Sequence, residues 1–248
     1  MAAQAGVRYS LKNPSAYIDT NLRGFFNIIE NCKKNNIKKF IYASSSSVYG
    51  VNKNKFFKET DSAVSPIQLY AATKRSNELI AHAYSSLYKM NTIGLRFFTV
   101  YGPWGRPDMS FFLFTKKILN NEIIDVFNFG KHVRDFTYID DVVRGIFLCS
   151  KKNLKKSTNN QLFKIVNIAC GKPVKLINFI SIIEKKLNKK SHKRFKNLQK
   201  GDVLRTAGSI NKIKSIFGYQ PMTPIEVGIG KFVKWYKQFY YKKNKKWI

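Results

Sequence analysis

The chain has 248 residues, is 44% hydrophobic and carries a formal net charge of +31, with its lysines spread along the whole length. That spread argues against a dedicated nucleic-acid stripe, and the lack of a charged leader or of any run of about 18 apolar residues argues against a secretory signal and a membrane span. Cys32, Cys149 and Cys170 form no CxxC pair, so neither a disulfide framework nor a metal site is expected, and the expected setting is the cytoplasm.

Asn13-Pro14 opens a helical stretch to about Lys34, with Ala16, Ile18, Leu22, Phe25 and Ile29 near helical spacing. Lys39 to Ala43 is a short apolar run that stops at Ser44–Ser47, as a buried strand would. Ser65-Pro66 reads as an N-cap and first helical position, starting a helix to about Met90. Thr92 to Phe98 is a second buried strand, followed by a glycine- and proline-rich loop. Ser110 to Leu119 reads as helix, Ile123 to Phe127 as extended, Ile139 to Cys149 as helix and Phe163 to Ile168 as strand. Val174 to Leu187 is helical, and Thr223-Pro224-Ile225-Glu226 has the form of a capping box opening a helix to about Tyr240. Strands separated by helices of this length predict βαβ units and a parallel sheet.

Such sheets place their chemistry at the carboxyl ends of the strands. The first strand ends at Ser44-Ser45-Ser46-Ser47-Val48-Tyr49-Gly50, and the next helix opens with Tyr70-Ala71-Ala72-Thr73-Lys74. Residues four apart share a helix face, so the Lys74 ammonium can sit near the Tyr70 hydroxyl and favour its ionised form. A serine hydroxyl from the strand end could bond the substrate oxygen that exchanges a proton. Tyr-x-x-x-Lys occurs three times, at Tyr49/Lys53, Tyr70/Lys74 and Tyr241/Lys245. The first falls in a turn and the last in a charged tail, so only Tyr70/Lys74 combines a helix with a serine-rich strand end.

These two segments, with Leu95 to Pro103 and Arg134-Asp135-Phe136-Thr137-Tyr138-Ile139-Asp140-Asp141, resemble the extended short-chain dehydrogenase/reductases that act on nucleotide sugars. Ala2 to Ser10 and Trp104-Gly105-Arg106-Pro107-Asp108-Met109 look most like the UDP-glucuronate 4-epimerases of that family, whose bacterial members often serve surface-polysaccharide synthesis. The resemblance implies NAD as cofactor and a UDP-sugar as substrate. NAD would take a hydride from C4 while Tyr70 removes the C4 hydroxyl proton, and the 4-keto sugar would turn over and receive the hydride on its other face. Ser45 matches the residue that contacts the sugar 4-oxygen, with Ser46 and Ser47 beside it. Lys74 would also bond the nicotinamide ribose, and Ala2, Ala3 and Asn21 would line the cofactor. Arg106 would read the glucuronate carboxylate, for which a guanidinium fork is suited. Arg134 would meet the nucleotide diphosphate, and Asp202 would lie near the nucleotide. Ser46 and Ser47 replace the Asp-Glu pair of 4,6-dehydratases, which argues against elimination. UDP-galactose 4-epimerase and UDP-glucuronate decarboxylase stay open.

The implied fold is a doubly wound parallel, Rossmann-like sheet without its first strands, with a smaller C-terminal substrate lobe. Residues 1–100, with 136–170 returning, would form the rest of the NAD domain; 101–135 and 171–248 would form the lobe. The family's Gly-x-x-Gly-x-x-Gly turn does not occur in this sequence. The chain is therefore expected to be a fragment or non-catalytic remnant, or one half of a split enzyme completed by a separate N-terminal chain. A homodimer through a four-helix bundle is also implied, built from the helices near Asn13–Lys34 and Pro66–Met90.

Overall fold

The computed structural model describes residues 3–6, 9–152, 162–199 and 202–241; Ala2 falls outside them. In chain order the elements are α1 (Tyr9–Lys12), α2 (Pro14–Tyr17), a π-helical turn over Ile18–Arg23, α3 (Gly24–Lys34), β1 (Lys39–Ser45) and a 3-10 turn over Ser46–Tyr49. Then come α4 (Leu69–Tyr88), β2 (Asn91–Phe97), β3 (Thr99–Tyr101), α5 (Ser110–Leu119), β4 (Ile124–Phe127), β5 (Val133–Arg134), β6 (Phe136–Tyr138) and α6 (Ile139–Lys151). The chain continues through β7 (Phe163–Ile168), β8 (Val174–Lys175), α7 (Leu176–Leu187), β9 (Lys193–Lys196), α8 (Asn211–Phe217) and α9 (Ile225–Trp235).

The chain divides into two compact units. The first comprises residues 1–98, 144–168 and 208–219; the second comprises 99–143, 169–207 and 220–248. The boundary differs from the sequence expectation at four places. Residues 99–100, 136–143 and 169–170 belong with the second unit, and 208–219, which includes α8, belongs with the first.

In the first unit β1, β2 and β7 form a parallel sheet in the order β1-β2-β7, with Tyr42 opposite Gly94 and Gly94 opposite Ile165. Side chains alternate between the faces. One face packs Tyr42 and Ile165 against Ile29 of α3 and Ala81 of α4. On the other, Ile168 lies against Gly145 of α6, which also meets Tyr219 just after α8. Helices thus cover both faces, which explains why these strands are near-continuous apolar runs. Gly94 has a reason to be glycine: a Cβ there would come within 2.5 Å of Ile165 and 2.6 Å of the Tyr42 hydroxyl. Among the described residues the outer edge of β1 pairs with no strand.

The second unit is built from short two-stranded pairs, β3–β6 and β4–β9 parallel and β5–β8 antiparallel. Its core joins Phe111 and Phe112 of α5, Phe179 and Ile183 of α7, and Phe232 and Tyr236 at the end of α9. Phe136 stacks flat on Phe179 at 3.9 Å.

Three helix starts depart from expectation. The helix expected from Val174 begins at Leu176, because Val174 and Lys175 pair with Arg134 and Val133 as β8. The helix carrying Tyr70 begins at Leu69, not Pro66, because the Ser65 carbonyl lies against Gly50, where a Cβ would approach it to 2.2 Å. Ser65-Pro66 is held as irregular chain, and the residue before proline resists the helical region in any case. The capping box at Thr223 does not form. The amides of Met222 and Thr223 donate instead to the Asp141 carboxylate, at 3.0 and 2.9 Å, and α9 starts at Ile225 without a side-chain cap.

Candidate functional site

In the first unit the expected residues gather where β1 ends and α4 begins. Ser45 caps the 3-10 turn after β1: its Oγ accepts from the Ser47 amide at 3.2 Å and donates to Ser47 Oγ at 3.2 Å. Ser45 is buried, while Ser46 and Ser47 are half-buried. Two residues back along β1, the Ala43 carbonyl accepts from Lys74 Nζ at 3.1 Å. Lys74 is 4% exposed, and burial pushes its pKa down to about 8. Its Nζ lies 6.0 Å from the Tyr70 ring centroid, as their four-residue spacing on α4 requires. Tyr70 is half-buried and meets Tyr17 edge-on at 6.3 Å.

Asn21 is buried in the π-helical turn and works as a clamp. Its Oδ1 accepts from the Gln4 amide at 2.8 Å, and its Nδ2 donates to the Gln4 carbonyl at 3.0 Å and to Thr73 Oγ1 at 3.1 Å. Thr73 Oγ1 in turn donates to the Tyr70 carbonyl at 2.9 Å. The segment with Ala3 is thereby tied to the first turn of α4.

Beneath these residues lies a polar network that the sequence reading did not single out. Glu78 is fully buried and accepts from Arg96 Nε and NH2 at 2.8 Å each, from Ser44 Oγ at 2.6 Å and from Arg75 NH1 at 2.8 Å. Burial raises the Glu78 pKa, but Arg96, Ser44 and Arg75 outweigh it and hold the carboxyl below its usual value. The Arg96 guanidinium lies 4.6 Å over the Tyr49 ring, and the Tyr49 hydroxyl donates to Asn167 Oδ1 at 2.7 Å. Burial pushes the Tyr49 phenol up to about 12. A signal was present: Glu78 follows Lys74 by one helical turn, and Arg96 interrupts an otherwise apolar strand. A buried acid and a buried base in adjacent elements must find each other.

In the second unit Arg106 and Asp108 pair fork to fork, with Nε donating to Oδ1 at 3.0 Å and NH2 donating to Oδ2. Arg134 NH1 donates to the carbonyls of Val133 and Leu204 at 3.0 and 3.2 Å, and burial lowers its pKa while Asp202 opposes that. Asp202 lies beside His132, with 3.9 Å between Oδ2 and Nε2. The chain after it is stitched to β5, the Val133 amide donating to the Leu204 carbonyl and the Thr206 amide to the Val133 carbonyl, both at 3.0 Å. Arg134 and Asp202 therefore share a neighbourhood, whereas Arg106 sits on the loop before α5. Two of the motif's three acids are structural: Asp135 accepts from the amides of Cys170 and Gly171 at 2.7 and 3.0 Å, as Asp141 does from Met222 and Thr223. No cluster of three metal-ligating side chains occurs among the described residues, and no helix among them is long and apolar enough to cross a membrane. Two surface hollows of the second unit, beside Glu184 and beside Phe129, contain none of the expected residues.

A model of the NAD dependent epimerase/dehydratase family matches residues 1–169. Protein CapI of Staphylococcus aureus is 48% identical over 253 residues, covering 98% of this chain and 76% of the relative. A "Probable UDP-glucuronate 4-epimerase" of Rhizobium meliloti is 44% identical, covering 97% of this chain and 74% of the relative. Among solved structures, the UDP-glucuronic acid 4-epimerase of Bacillus cereus, in complex with UDP-glucuronic acid and NAD, superposes with a TM-score of 0.88 at 32% identity. That match covers 97% of this chain and 74% of the solved one.

Proposed function

We propose, since this chain belongs to the NAD-dependent epimerase/dehydratase family, that it carries the substrate-side machinery of a UDP-sugar 4-epimerase whose sugar is glucuronate, acting in the cytoplasm for surface-polysaccharide synthesis. The observation that carries this reading is the Lys74–Ala43 bond, which fixes Lys74 and its helix neighbour Tyr70 at the end of the strand that bears Ser45. Tyr70 exchanges a proton with the sugar 4-hydroxyl, and Ser45 bonds that oxygen with Ser46 and Ser47 alongside. Lys74 keeps a positive charge beside Tyr70; with its pKa near 8 it is still mostly charged at neutral pH. NAD, when bound, supplies the hydride acceptor. Lys74 has donors beyond its bond to Ala43 for the nicotinamide ribose, and the clamped backbone at Ala3 and Gln4, with Asn21, fits the cofactor's edge. The pyrophosphate is not provided for: the sequence holds no glycine-rich turn to present a helix N-terminus to it. The unpaired edge of β1 and that missing turn mean that these residues need a glycine-turn unit beside them to hold the cofactor.

The 248-residue chain alone is expected to bind NAD too weakly for calorimetry to detect at micromolar concentration. Fused behind the glycine-turn units of a related enzyme, it is expected to epimerise UDP-glucuronate in preference to UDP-glucose. Arg106→Leu in that fusion should weaken turnover of UDP-glucuronate by ~10–100-fold, the value of a charge-assisted hydrogen bond, and spare UDP-glucose. The Asp108 pair is half-exposed, and such pairs contribute at most about 1 kcal/mol, so a substrate carboxylate can displace Asp108. Equal losses on both sugars would remove Arg106 as the carboxylate reader. Micromolar NAD binding with epimerisation by the unfused 248 residues would overturn the need for a glycine-turn unit.

A homodimer through α3 and α4 belongs to the same reading. Both helices cover one face of the sheet, and Phe26, Ile28, Leu79 and Leu87 leave large apolar side chains exposed on them. Sedimentation should give a dimer that Leu79→Lys with Leu87→Lys converts to monomer; a wild-type monomer would dismiss it.

A further inference from the structure

His132 is 4% exposed, yet its Nε2 has no hydrogen-bond partner. Buried polar atoms are nearly always paired, so an orphan calls for an explanation. Three groups face it. A backbone hydrogen bond with Phe127, at the end of β4, occupies the imidazole's other side; the Arg134 guanidinium stands nearby on its own strand; and Asp202 lies opposite. Burial, then Arg134, push the imidazole below its ordinary value, and Asp202 pulls the other way. In the free protein Nε2 is therefore a bare lone pair pointing at a carboxylate. Two acceptors face each other with no proton between them, and they stand 3.9 Å apart instead of the ~2.8 Å of a charge-assisted hydrogen bond.

We propose that His132 and Asp202 form a latch closed by diphosphate binding: an anion seated on Arg134 draws a proton from solvent onto His132 Nε2, and the new N–H pulls the Asp202 carboxylate into a direct hydrogen bond. The proposal rests on the reading that Arg134 meets the nucleotide diphosphate. The anion cancels the repulsion that the guanidinium exerts on an imidazolium and adds its own attraction. The Asp202 backbone is tethered, its amide donating to the Gln199 carbonyl at 3.1 Å and residues 204–206 bonding β5, so closure needs only a turn of the Asp202 side chain. Closing the pair fixes the Asp202 carboxylate beside β5 as the nucleotide arrives. His132 touches no ligand in this scheme; it is a positioning residue for Asp202.

The chain has three histidines, His82, His132 and His192, so the imidazole C–H signals can be assigned in NMR spectra with His132→Gln. In the free chain His132 should titrate below the usual ~6.5. Asp202→Asn should lower it further by about half a unit or more, given a charge so close. Saturating UDP should raise it by about one unit, and uridine, which lacks the diphosphate, should not. Calorimetry near pH 6 in buffers of different ionisation enthalpy should show net proton uptake on UDP binding, lost in His132→Gln and reduced in Asp202→Asn. UDP binding that leaves the His132 titration unmoved would overturn the latch, and so would an Asp202→Asn chain with unchanged His132. If UDP does not bind at all, the nucleotide reading of Arg134 fails and the trigger with it, while the effect of Asp202→Asn on His132 still decides whether the pair is coupled.

Discussion

Replacing Glu78 by alanine is expected to cost about 3–5 kcal/mol of unfolding free energy, the penalty for stranding a buried charge by removing its partner. Arg96 is 2% exposed and donates from both Nε and NH2 to Glu78, so the substitution leaves a guanidinium in the core against the Tyr49 ring. Urea unfolding followed by circular dichroism measures the loss; less than about 1 kcal/mol would mean that solvent or rearranged groups replace the carboxylate. Replacing both Glu78 and Arg96 by leucine should recover much of it, since well-packed apolar residues often equal a buried pair. The pH dependence has a definite sign. The Glu78 carboxyl is held below its ordinary 4.5, so its contribution to stability is complete above the unfolded pKa and is lost as pH falls through the lower, folded value. Acid unfolding should therefore begin at lower pH in Glu78→Gln than a simple count of carboxylates implies, relative to that variant's own neutral stability.

Tyr70→Phe, in the chain fused behind a glycine-turn unit, should lower turnover by ~10²–10⁴-fold, the usual range for losing a positioned acid–base group. Binding of the nucleotide sugar should change little, because the ring remains and its edge contact with Tyr17 involves no hydroxyl chemistry. Lys74→Met should also depress turnover, and its pH profile should lose the limb attributable to the lysine. Turnover of Tyr70→Phe within tenfold of wild type would transfer the proton-exchange role to another residue, and Ser45 would be the first to test.

The strands carried their assignment plainly in the sequence. Phe163–Ile168 and the Ser110–Leu119 helix agree with the reading to the residue, because a long apolar run or a strong helical stripe is shaped by burial alone. The second unit was far less legible. Its strands are two to four residues long, too short for any periodicity, and they exist because distant segments pair with them. Two of the misplaced helix starts share a cause: Ser65 and Thr223 have the right chemistry for caps, but Gly50 and Asp141, elsewhere in the chain, hold their backbone. At the site, Tyr70, Lys74 and Ser45 were readable because they lie in two local segments linked by one helix spacing. The Glu78–Arg96 network was legible only as a pair: Arg96 inside a buried strand needs a partner, but nothing local says that Glu78 on another element is it.

Asp141 ties the amides of Met222 and Thr223 across separations of 81 and 82 residues, whereas Asp135 ties Cys170 and Gly171 across only 35 and 36. The entropy lost on closing a loop grows with the logarithm of its length, so the longer closure costs only about 0.7 kcal/mol more than the shorter. By the same relation, ten residues added between Asp141 and Met222 would raise that cost by about 0.1 kcal/mol. The carboxylate thus acts as a fixed mooring for the last helix that is almost indifferent to how much chain intervenes. Lengthening a surface segment along that stretch should therefore leave the mooring intact, whereas Asp141→Ala should free both amides at once.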